Sequence, residues 1–139
     1  MMDVVLNKKE SIERCVRQIR LYYAMPSALP FEDDHLKQDA IAINLQRAAE
    51  QTIDLANHII RKGRLGLPKE SRESFDILAK ANIIPREMAD ELKGMVGFRN
   101  IMVHEYQALD IKIMIGVIER RLDGFIAFTD RIMDYARGR

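Results

Sequence analysis

A chain of 139 residues is close to the size of one domain, so it is read as a single domain over 1–139 packed around one core. Hydrophobic residues make up 47% and charged residues 31%, a balance that excludes a disordered or tail-like chain. Lys plus Arg number 22 against 21 Asp plus Glu, a net charge of +1, so no global field grips a polyanion and any nucleic-acid contact must use a local patch.

The single Cys15 leaves no intrachain disulfide and no Cys-based zinc site. No apolar run approaches the roughly 20 residues that span a bilayer, and Met1 to Glu10 mixes charges where a signal peptide needs an apolar core. The expectation is a cytoplasmic protein with no membrane contact.

Seven Gly, four Pro and no Trp, with helical and no strand-type periodicity, predict an all-α fold. Ile12, Val16, Ile19 and Tyr23 mark a first helix over about residues 4–23, which ends where Pro26 disfavours helix in Met25. After Pro30, Asp33 and Asp34 cap a long second helix striped by Ile41, Leu45, Ala48, Thr52, Ala56 and Ile59 and ending near Lys62-Gly63. Its opposite face carries Arg47, Glu50, Asp54 and His58, read as a solvated ion-pair surface without chemistry. A turn over 64–70 precedes a short helix through Phe75, Leu78 and Ala79 that stops near Asn82. Pro85 then opens a fourth helix over Glu87 to Tyr106, with Met88, Leu92, Met95, Met102 and Val103 on one side. From Asp110 a last helix places Ile111, Ile115, Ile118, Leu122, Phe125, Thr129, Ile132 and Ala136 at the alternating spacing of a bundle seam. The second, fourth and last helices are expected to form the core.

No Gly-rich phosphate loop, Ser nucleophile elbow or His-Cys-Asp cluster with ligand spacing occurs, so no metal or cofactor is expected. Chemistry concentrates in Gly94-Met-Val-Gly-Phe-Arg-Asn-Ile-Met-Val-His-Glu-Tyr106. Arg99 falls beside the apolar stripe of Leu92, Met95 and Val103, a costly place for a charge without a partner. Asn100 and His104 share the adjoining polar flank with Gly97 and, nearby, Gly94, where missing side chains let another backbone or a ligand come close. The bland reading gives Arg99 a carboxylate on a neighbouring helix and makes His104 a surface residue.

The functional reading is RNA cleavage, because RNA carries its own nucleophile in the 2′-OH and needs only proton transfer and charge stabilisation. His104, with an ordinary pKa near 6.5, can move the protons, and the planar, permanently charged Arg99 can hold the phosphorane oxygens. Asn100 can orient the phosphate or the imidazole. An ideal helix puts Arg99 and His104 about 140° apart, so a composite site across a two-fold homodimer is the remedy.

The chain resembles the HEPN superfamily, and within it the HepT-like toxins encoded beside a minimal nucleotidyltransferase. The likeness runs through Asp39-Ala-Ile-Ala-Ile-Asn-Leu-Gln-Arg-Ala-Ala-Glu50, Asp54-Leu-Ala-Asn-His58, Leu65-Gly-Leu-Pro68 and Phe75-Asp-Ile-Leu78 to Gly97-Phe-Arg-Asn-Ile-Met-Val-His-Glu-Tyr106. The last string is similar to the family's ribonuclease motif, an Arg and a His four to six residues apart, extended by a Tyr. The resemblance implies an up-and-down bundle of four to five helices, the HEPN fold, and a metal-independent endoribonuclease toxin. It places catalysis on Arg99 and His104, support on Asn100, and on Tyr106 a hydroxyl that the partner nucleotidyltransferase antitoxin modifies with AMP. Expected partners are RNA, that antitoxin and a second copy of the chain, as a homodimer or, alternatively, a higher hetero-oligomer. The competing reading is a non-catalytic HEPN binding module that docks a nucleotidyltransferase and presents its substrate.

Overall fold

A computed structural model describes residues 2–104 and 110–138, with the side chains of Val103 and His104 excepted. Tyr106 lies outside the described residues. Six α-helices follow one another: α1 Met2–Ala24, α2 His35–Gly63, α3 Ser71–Lys80, α4 Arg86–His104, α5 Ile111–Arg120 and α6 Leu122–Ala136. A single 3₁₀ turn, Phe31–Asp33, sits between α1 and α2. Among the described residues there is no strand, and no helix is long and apolar enough to cross a membrane.

Local chemistry sets the ends. α1 stops at Ala24, just ahead of Met25-Pro26, where the proline ring crowds the helical conformation of the preceding residue. Asp34 caps α2: its carboxylate accepts the Lys37 backbone N–H at 3.0 Å and the Ser27 hydroxyl at 2.6 Å. The Ser27 and Lys37 hydrogen bonds stabilise the charged form and hold this carboxyl below its ordinary range. At the other end the helix runs through Gly63, and Arg64 takes the left-handed conformation (φ 51°, ψ 47°). Leu65 N–H then reaches back to the Ile60 carbonyl at 3.0 Å, which closes the last turn.

α1 and α2 lie side by side along most of their lengths, and α3 packs on α4. Val5, Ile12, Cys15, Val16 and Ile19 of α1 are buried, so α1 is a full member of the core, beyond the expectation that the second, fourth and last helices alone would build it. The apolar side of α1 recurs at three- and four-residue steps and finds a matching groove on α2. Phe75 of α3 and Phe128 of α6, both fully buried, meet edge to face with ring centroids 5.7 Å apart.

The segment expected as one last helix is two. The backbone breaks at Arg121 (φ −117°, ψ −8°), whose N–H still bonds the Val117 carbonyl at 2.9 Å while its own carbonyl accepts from Gly124 at 3.1 Å. Gly116 and Gly124 flank the break, and each glycine weakens a helix by about 1 kcal/mol relative to Ala. The break lets α6 lie along α1 and α4 while α5 leans mainly on α6. Ile118, Leu122, Phe125, Thr129 and Ile132 of the expected seam are buried, but Ile111, Ile115 and Ala136 are only half-buried. Met114, Val117, Phe128 and Met133 supply the remaining packing.

Candidate active site

α4 is fixed to its neighbour by charge as well as by packing. Asp76 of α3 accepts from Arg86 at 2.5 Å and from Lys93 at 3.1 Å, and these cations hold its carboxyl below the usual range. Pro85 stands just before the helix, and its carbonyl takes the Ala89 N–H at 3.1 Å. Ala89, Leu92, Met95, Val96, Phe98 and Met102 are buried along one side, as period-3.6 patterning requires.

Arg99 points into that side. Its side chain is only 18% exposed, and the nearest carboxylate is Glu50 of α2, with Oε1 4.0 Å from Nη1. The separation permits a Coulombic attraction but is too long for a hydrogen bond. The Arg99 Nε–H is buried and has no hydrogen-bond partner among the described residues. Glu50 is 45% exposed and is steadied from one turn earlier by Gln46, whose Nε2 donates to its carboxylate at 3.4 Å.

The surface reading of the α2 outer face therefore holds in part only. Arg47 and Asp54 are exposed, Glu50 is the counter-charge of Arg99, and His58 is buried. His58 lies about 80° round the helix from Glu50, far enough to turn it from the solvated face into the packed one. Glu50 is the residue that reading the spacing missed. Two signals pointed toward it: the need of Arg99 for an acid across the helix pair, and the place of Glu50 at the end of the Asp39–Glu50 string.

On the other flank of α4, Asn100 is half-buried, as is Gly97, while Gly94 is exposed. A Cβ placed on Gly94 or on Gly97 meets nothing within 4 Å, so the close packing expected at these glycines is not made by the described residues of this chain. Ile101, on the same flank, is 39% exposed. An open groove of about 310 Å³ lies between Gly94 and Phe98 of α4 and Ile113 and Val117 of α5.

His104 is the last residue of α4. Its backbone stands five residues beyond Arg99, about 140° round the helix, so α4 brings Asn100 and His104 to one flank and sends Arg99 to another. Among the described residues no three His, Cys, Asp or Glu side chains gather as metal ligands would.

The family described as Ribonuclease HepT-like matches residues 12–132. The chain is 44% identical over 132 residues to the mRNA nuclease HepT of Shewanella oneidensis, covering 95% of this chain and 98% of that protein. It is 30% identical over 91 residues to the tRNA nuclease HepT of Aphanizomenon flos-aquae, covering 66% and 62% respectively. Among solved structures, the tri-AMPylated Shewanella oneidensis HEPN toxin in complex with its MNT antitoxin superposes with a TM-score of 0.90 at 43% identity, over 96% of this chain and 99% of that one. A toxin–antitoxin complex with AMP-PNP superposes at 0.88 and 43% identity, over 95% and 99%.

Proposed function

The chain belongs to the HepT-like ribonuclease family, and from that premise we propose that it is the toxin of a toxin–antitoxin pair. In this reading it is a metal-independent endoribonuclease acting in the cytoplasm as one HEPN domain over 1–139, and a cognate minimal nucleotidyltransferase silences it by adenylylating Tyr106. Arg99 and His104 carry catalysis with Asn100 in support.

One observation carries the reading of the site. A guanidinium held mostly out of water, with its Nε–H unpartnered among the described residues and its counter-charge beyond hydrogen-bond reach, has donors to spare for an anion. A phosphodiester fits, since two parallel N–H donors match two non-bridging oxygens and stabilise the extra charge of a phosphorane. The reaction then needs only proton transfers. The 2′ oxygen of RNA bonds to phosphorus as its proton passes to the His104 imidazole, and the bond from phosphorus to the 5′ oxygen breaks as that oxygen gains a proton from the imidazolium so formed. The products are a 2′,3′-cyclic phosphate and a 5′-hydroxyl.

A two-fold homodimer supplies the geometry one chain lacks. The open flank of Gly94, Gly97 and Ile101 offers a surface where a second backbone can approach, and pairing there sets the Arg99 of one copy toward the His104 of the other. Cleavage by the purified chain should proceed in EDTA and leave cyclic phosphate or 3′-phosphate ends, read by end-labelling and mass spectrometry. EDTA-sensitive cleavage leaving 3′-hydroxyl ends would overturn the mechanism.

A further inference from the structure

We infer that Glu50 is a positioning residue for RNA cleavage, setting the Arg99 guanidinium in place from across the α2–α4 groove without using up the donors that phosphate needs. The inference rests on the reading of Arg99 as the phosphate-binding catalytic group.

Three features of the pair carry it. Arg99 emerges from the buried side of α4, among Leu92, Met95 and Met102, so its guanidinium needs a negative charge nearby to stay in a mostly dry position. Among the described residues, Glu50 is the carboxylate within ion-pair distance, and it sits on a different helix, so α2 and α4 together fix where the cation points. The third feature is the distance. At 4.0 Å the carboxylate attracts the guanidinium but accepts no hydrogen bond from it, and among the described residues the Nε–H is unpartnered as well. A closer acid would occupy the same fork of donors that binds a phosphodiester.

Glu50 is also half exposed and tethered by Gln46. It can therefore stay beside Arg99 when an anion arrives. The carboxylate orients the guanidinium but repels the phosphate, so the two effects fall on different kinetic quantities: orientation on kcat, repulsion on RNA affinity. A residue that merely supported the fold would not split them in this way.

The test compares the full-length wild type with E50Q, E50D and R99K on a short oligoribonucleotide, with RNA affinity measured by anisotropy in the non-cleaving H104A background. E50Q, which keeps the shape and removes the charge, should lower kcat by about 10-fold or more. KM should be unchanged or lower. In the H104A background E50Q should tighten RNA binding and steepen the dependence of log Kd on log salt by about one unit, as expected when one more cationic contact becomes available. E50D, which keeps the charge one methylene further back, should fall between wild type and E50Q. In an R99K background, where the fork is already lost, E50Q should change kcat by less than about three-fold. An unchanged kcat in E50Q, an equal loss in the R99K background, weaker RNA binding, or E50D no better than E50Q would each overturn the assignment. Should E50Q fail to fold, judged by its melting curve, the E50D kcat decides: a loss of about three-fold to ten-fold supports the assignment, and wild-type kcat overturns it. If R99A cleaves as well as the wild type, the reading of Arg99 itself fails, a result distinct from any of these.

Discussion

His104→Ala is expected to lower RNA cleavage by roughly 10³-fold or more, into the background of the assay, and to abolish growth inhibition, while the thermal midpoint stays within a few degrees of wild type. In the proposed mechanism His104 moves the protons, and general acid–base catalysis by a positioned histidine is worth about 10²- to 10⁴-fold. His104 closes the last turn of α4, beyond the buried run from Ala89 to Met102. Arg99→Ala contrasts with this. It should also silence cleavage, but it removes a mostly buried stem from the α2–α4 contact and leaves Glu50 without its cation, at a cost of about 1–2 kcal/mol in stability. A His104→Ala protein that still cuts RNA at a tenth of the wild-type rate would show that another group moves the protons.

Tyr106→Phe is expected to leave a toxin that the nucleotidyltransferase cannot silence. With ATP and the cognate antitoxin, the wild type should gain mass in steps of AMP, releasing pyrophosphate, and lose cleavage activity. The phenylalanine variant should gain none and should remain toxic when both proteins are co-expressed. In the proposed mechanism each AMP attached to Tyr106 would add a phosphate that pairs with the donors of Arg99 and excludes RNA. Tyr23 is a poor acceptor: it donates its hydroxyl to Glu119 at 2.6 Å, and burial together with that carboxylate pushes its pKa up to about 12, so its phenolate is scarce at neutral pH. Peptide mapping that put AMP on Tyr22, Tyr23 or Tyr135 would move the switch elsewhere.

The likeness of this chain to an AMPylated HEPN toxin and the Arg99–Glu50 geometry bear on different questions, the first on regulation and the second on chemistry. The helices with sharp chemical stops were legible in the sequence. α1 ends before Pro26, α2 begins at the Asp34 cap and α4 follows Pro85, and each boundary is a local steric or hydrogen-bonding event. The division at Arg121 was not, because the three- and four-residue rhythm of apolar positions runs on through Ile118, Leu122 and Phe125 across the break. Only the two flanking glycines hint at it.

The same contrast holds for the site. That Arg99 needs a partner followed from its position on an apolar stripe. Which partner depended on how α2 is registered against α4, a long-range packing outcome that no spacing within either helix encodes. His58 went from expected surface to observed core because it lies about 80° round α2 from Glu50, on the packed side of the helix.

The central claim is that one cleavage site is assembled from Arg99 of one copy and His104 of another, and complementation between inactive variants tests it most directly. R99A and H104A, each inert alone, are mixed under mild dissociating conditions, reassociated, and assayed for RNA cleavage in EDTA. A mixed dimer then holds one site with both residues replaced and one site intact. Random pairing makes about half the dimers mixed, so the account predicts recovery to about a quarter of wild-type specific activity. No recovery, with exchange of subunits confirmed by native mass spectrometry, would contradict it.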